Sequence, residues 1–293
     1  MKTDPISIER AVRRYAPVRA GELTLYPVRV GEYDEFLMAR PALEVLHQSL
    51  PVAMMRVPLL SAYYRMDCEA RQGGSPPTGL FARALLGLAL SLRIGEGLDA
   101  AERVALFRCA VDRQDPWKLL RVEVSGADGR IVSIEPPAYR ELRRVIAAQN
   151  GVKLESETAN PDIVRARQAM NESGAKLEQS VDALVSFVCA VTGAEEREVD
   201  DWPILKLQRR ADAVQTMLFY LVCGVGEASG ATWKGGNPYP HPIFRRVDDG
   251  AGLASPMSGA GPDAAAGARV IEAQIKGNSE FGMRNSELPF GGR

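Results

Sequence analysis

The chain is 293 residues long, 46% hydrophobic and 25% charged, with 36 basic against 37 acidic residues and a formal net charge of −1. That length holds one large domain or two ordinary ones, and the composition can furnish a sizeable apolar core. The balanced charge argues against nucleic acid as the main partner, since phosphate contacts call for a basic surplus.

Residues 1–17 are interrupted by charges throughout and read as neither a secretory signal nor a lipidation site. The most apolar stretch, Gly79 to Ile94, includes Arg83 and Arg93 and falls short of the ~20 residues that span a bilayer, so no membrane partner is expected. Cys68, Cys109, Cys189 and Cys223 are far apart, with no CxxC pair, and read as small, mostly buried apolar residues in a reducing cytoplasm.

In chain order, residues 1–20 read as a flexible basic arm. Leu23–Val30 alternates like a strand, with Pro27 placing it at an edge. Tyr33–Leu50 is an amphipathic helix broken near Pro41. A further apolar segment, Val52–Arg65, ends in the pair Tyr63–Tyr64. Gly73–Pro77 is a loop on turn chemistry. The next helix carries Leu80, Phe81, Leu85, Leu86, Leu88, Leu90 and Leu92, apolar on nearly every side, which places it at the centre of a domain. Phe107–Val111, Leu119–Val124 and Arg130–Glu135 read as strands, the last two joined by a hairpin at Asp128-Gly129. Pro136 and Pro137 then open a helix, Ala138–Gln149, which Asn150-Gly151 closes.

A second region starts near Asn160-Pro161-Asp162, an N-cap signal. The helix from Leu177 has the stripe Leu177, Val181, Leu184, Val185, Val188 and Val191, and Gly193 ends it. Asp200 or Asp201 is expected to cap the helix after it, whose stripe Leu207, Ala211, Val214, Leu218, Leu221 and Val225 steps by four and three. Two such helices on a short connection should pack antiparallel. From Gly224 the chain turns glycine- and proline-rich, and beyond Asp248 it lacks the apolar density to offset the entropy of ordering, apart from a short helical pattern at Ala264–Ile275. The expected fold is α+β and predominantly helical, with a small antiparallel sheet packed with helices, a C-terminal antiparallel helix pair and a disordered C-terminal tail. Its expected divisions are a basic arm (1–20), an α+β domain (21–155), a helical domain with an aromatic Gly/Pro loop (156–247) and the tail (248–293).

Complete catalytic signatures are missing from the sequence. His47 and His241 are its two histidines and have no partners at triad or zinc spacing. Gly95-Glu96-Gly97 and Gly224-Val225-Gly226 lack the Lys-Ser/Thr ending of a phosphate loop, and no G-x-S-x-G elbow occurs. The acids Glu195, Glu196, Glu198, Asp200 and Asp201 are explained by the following helix N-terminus, where negative charge is favoured. The pairs Arg13-Arg14, Arg143-Arg144, Arg209-Arg210 and Arg245-Arg246 are read as solvated. A site assembled from distant carboxylates such as Asp112, Asp115 and Glu123 stays open as a weaker possibility. No enzyme, cofactor or metal is expected. The segment Thr232–Pro240, with Trp233, Lys234 and Tyr239 set among glycines and prolines, has the composition of a binding anchor. Phe244, Tyr63 and Tyr64 join it as partner-binding candidates.

The sequences TLYPVRVGEYDEF and EPPAYRELRRVIAAQNGVKL, the helix pair with its Thr192-Gly193 break, and the Trp-Lys-Gly-Gly-Asn-Pro-Tyr-Pro loop together resemble proteins of phage and prophage tail modules over roughly residues 20–245. The resemblance implies a cytoplasmic tail-assembly chaperone that binds the tape-measure protein or another tail protein. The alternative is a structural tail or baseplate subunit. Oligomeric state is left open.

Overall fold

A computed structural model describes residues 3–125, 131–154 and 180–229. The chain divides into two units, residues 1–211 and 212–293. The described residues are mostly helical with small antiparallel sheets, an α+β architecture.

The first unit opens with α1 (Pro5–Arg14) and β1 (Val18–Ala20), where a flexible arm was expected. Asp4 accepts hydrogen bonds from the amides of Ile6 and Ser7, and Pro5 stands in the first turn, both strong starting signals. Ile8 anchors the helix in the core, with Ala11 and Val12 packed beside it. β1 pairs antiparallel with β2 (Leu23–Leu25). The expected strand to Val30 stops early because Pro27 has no amide to offer a ladder. Beyond it, Tyr26 donates to the Ser91 carbonyl at 2.7 Å and Val28 to Asn150 Oδ1 at 2.8 Å.

A turn at Val30–Glu32 leads into α2 (Tyr33–Glu44), followed by α3 (Leu59–Gln72), α4 (Leu80–Leu92) and α5 (Ala100–Ala105). Pro41 lies inside α2 rather than breaking it, and the helix ends at Glu44. Two buried side chains finish that end. Arg143 donates to the carbonyls of Leu43 and Val45, and Tyr63 Oη to that of Ala42. A cation at a helix C-terminus is favoured by the dipole. Arg143 is thus 5% exposed and structural, a correction to the solvated face expected of the Arg143-Arg144 pair.

α4 lies at the centre as its composition predicts, with Ala84 to Ser91 all buried and α2, α3, α5, α6 (Tyr139–Gln149) and β2 around it. Its entry is set by Asp67 of α3, which accepts from Thr78 Oγ1 at 2.6 Å and from the Gly79 amide at 3.1 Å. β3 (Arg108–Val111), β4 (Leu119–Ser125) and β5 (Ile131–Ile134) form an antiparallel sheet in that order. The Asp128-Gly129 turn lies outside the described residues. At the end of α6, Gln149 donates to the carbonyls of Ala16 and Leu25, while Asn150 holds Val28. The Gln-Asn pair therefore ties α6 to the β1–β2 hairpin. Gly151 follows at φ +71°, where a Cβ would lie 2.8 Å from Gln208 Oε1.

The last helices among the described residues are α7 (Val181–Thr192), α8 (Glu196–Asp200) and α9 (Ile204–Ala228). Gly193, at φ +71°, ends α7 as expected. The acidic run does not cap α9; it forms α8, a separate short helix whose Val199 is buried beside Trp202. α8 thereby stands between the two striped helices in the chain, and the two share one small cluster of Val185, Val188, Leu207 and Ala211. Residues 28–30 clamp the α8–α9 junction, with Val30 N donating to the Trp202 carbonyl at 2.8 Å and Ile204 N to that of Val28 at 3.0 Å. Asn160–Asp162 and everything beyond Ser229, including the expected tail and the helical pattern at Ala264–Ile275, lie outside the described residues. Among the described residues no helix is long and apolar enough to cross a membrane.

Candidate protein-binding surface

Of the partner-binding candidates, Trp233, Lys234, Tyr239 and Phe244 lie outside the described residues. Tyr63 is a correction: it is fully buried, its hydroxyl bonded to the Ala42 carbonyl and its ring edge-on to Tyr139 at 6.4 Å, so it offers no contact surface. Burial pushes the Tyr63 and Tyr139 hydroxyls well above the usual tyrosine range, Arg143 opposing in part. Tyr64 is half-buried. Its ring packs edge-on against Phe81 at 5.2 Å and its hydroxyl donates to the Pro116 carbonyl at 3.3 Å. Burial, then a hydrogen bond with Cys68, raises it to about 12. Both tyrosines hold α3 in place.

The exposed apolar surface that stands out lies on α9. Within the second unit, Leu218, Leu221 and Val225 are 41%, 53% and 67% exposed, and Met217 and Val222 lie open beside them. The first three continue the four-three step of Leu207, Ala211 and Val214, a heptad-like seam of the kind that packs against another helix. Sequence reasoning found this stripe but assigned it to the chain's own core. The absence of charge from Met217 to Gly226 is consistent with either fate.

Other groups are tied to structural duties. His47 Nε2 sits 3.2 Å from the Met54 carbonyl. Asp112 and Asp115 accept hydrogen bonds from the amides of Gln114 and Trp117 in the β3–β4 turn. The Gln114 amide, then Lys118, holds the Asp112 carboxyl below its ordinary value. Glu123 is paired with Arg121. These three carboxylates therefore shape one hairpin.

The cysteines correct the expectation of general burial, because Cys223 alone is buried and Cys109 is exposed; all four are free thiols. Desolvation by the atoms packed around the sulfur, then Cys68, raises the Cys109 thiol although the residue as a whole is exposed; desolvation, then the acids of α8, raises Cys189. A raised thiol holds less thiolate at neutral pH and is a poor nucleophile. Among the described residues no group of three or more His, Cys, Asp or Glu side chains is placed to hold a metal ion.

Comparison of the chain with protein-family models, with curated proteins and with solved structures found no match.

Proposed function

We propose that the chain is a protein-binding assembly factor that acts without catalysis or cofactor. In its particular form the proposal is a phage tail-assembly chaperone, working in the host cytoplasm on the tape-measure protein. The observation that carries it is the exposed seam Leu218, Leu221 and Val225 on α9. Apolar surface held in water forgoes about 25 cal/mol for each Å² that burial would recover. An amphipathic helix recovers it by laying its own apolar stripe along the seam. A tape measure, as a long and largely helical chain, presents such stripes repeatedly. The tail-module resemblance of residues 20–245 supports the particular form.

The test is co-expression with the tape-measure protein of the same gene cluster and recovery of the complex through a tag. Leu218→Asp with Leu221→Asp should abolish recovery while leaving the fold intact. A complex that never forms, or that ignores both substitutions, counts against the proposal. Mass spectrometry of purified particles separates the structural-subunit alternative, since a chaperone is missing from the finished particle and a subunit is stoichiometric.

A further inference from the structure

Two features of the first unit, both separate from the α9 seam, carry opposite charge. An open cleft of about 800 Å³ runs between the Val30–Glu32 turn with the start of α2 on one side and α7 with α8 on the other. Val30, Leu37 and Val185 give it apolar walls, and Asp34, Asp182, Glu196 and Asp200 ring it with carboxylates. None of the four makes an ion pair with another described residue; Glu196 accepts a hydrogen bond from the Ser186 hydroxyl at 3.0 Å. They are not gathered closely enough to hold a metal ion. Such a surface is matched by cations spread over an apolar scaffold, not by a point charge.

α1 is a scaffold of that kind. Ile6, Arg10 and Arg13 follow one another at helical spacing, and Ile6 is 64% exposed. Arg10 and Arg14 make no ion pair among the described residues, while Arg13 pairs with Glu9 of the same helix at 2.5 Å. Packing against α6 and β1 holds α1 in place, and the residues lining the groove beside it are all different from those of the acidic cleft.

We infer that the acidic cleft receives α1 of a second copy of this chain. Because the two patches differ, the contact is head-to-tail. Every added copy brings a free cleft and a free α1, so the product is a ring or an open chain rather than a closed dimer. This inference goes beyond the assembly-factor reading and does not depend on it.

Sedimentation velocity of the full chain at rising concentration tests it. At low salt the average mass should climb past that of a dimer, and raising salt should weaken association by about tenfold, as for exposed charges. Arg10→Glu with Arg14→Glu should leave monomers, and so should Asp34→Lys with Asp182→Lys; all four positions are exposed at the surface, and circular dichroism checks the fold. Mixing the two variants should restore association, because each then supplies the charge the other lost. A chain that stays monomeric at low salt overturns the inference, as does association that survives both reversals. Association lost instead with Leu221→Asp overturns it too and places self-contact on α9. The reversals at Arg10, Arg14, Asp34 and Asp182 leave the α9 seam untouched, so their results are separate from recovery of a tape-measure complex.

Discussion

In residues 204–211 of α9, the stripe residues Leu207 and Ala211 are buried in a cluster with Val188, Val199 and Trp202. In residues 217–225 of the same helix, Leu218, Leu221 and Val225 carry the stripe on into solvent. The pattern and the residue types are alike, so the difference lies in what tertiary structure sets against each half. The proximal part is clamped by residues 28–30 and packed in one cluster with Val199 of α8. An apolar stripe at helical spacing therefore specifies a face, and says nothing of whether the chain or a partner covers it.

The comparison breaks first at the core. Leu88 is fully buried at the centre of α4, and Leu88→Ala should cost about 2–5 kcal/mol through lost burial and the cavity left behind. Urea unfolding measures it; a loss below about 1 kcal/mol would mean that the first unit is not built around α4. Next comes the polar tie between α6 and the hairpin. Asn150→Ala orphans the buried Val28 amide and should cost about 1–3 kcal/mol, read from the same unfolding curves.

A smaller effect is expected at Glu141, where the Thr3 amide and Arg144 outweigh burial and hold the carboxyl below its ordinary value. A depressed carboxylate stabilises above its unfolded pKa, and that contribution is lost as pH falls through the folded one. Glu141→Gln should cost less than about 1 kcal/mol at neutral pH, since surface pairs are weak, and nothing once acid has protonated the native carboxyl. Melting curves from pH 7 down to about 3 check the convergence. Smallest for stability is Leu221→Asp, expected within about 0.5 kcal/mol of the parent while partner recovery is lost. If it unfolds the protein instead, the seam belongs to the chain's own fold and the contrast between the two halves disappears.

Much of the fold was legible from local rules. The all-round leucines of α4, the glycine after α7 and the prolines before α6 each mark an element by composition or turn chemistry. The failures have a common origin in long-range packing. Residues 3–20 looked like a loose arm because charges interrupt the stretch throughout, yet Ile8 and the Asp4 cap secure a helix there. Tyr63 looked like a contact residue because aromatic pairs favour interfaces, but its hydroxyl completes the end of α2 21 residues earlier in the chain. The acidic run looked like the cap of the next helix, and buried Val199 and Trp202 make it a helix of its own.

The sequence by itself determined the helical majority, the central place of α4, the small sheet and the existence of a heptad-like stripe on α9. These follow from residue spacing and turn chemistry, which act over a few residues. Tertiary structure alone decided which arginine is buried, which half of the α9 stripe is covered, and that four carboxylates from α2, α7 and α8 ring one cleft. Burial and charge at those places depend on segments brought together from distant positions, and no local pattern encodes that proximity.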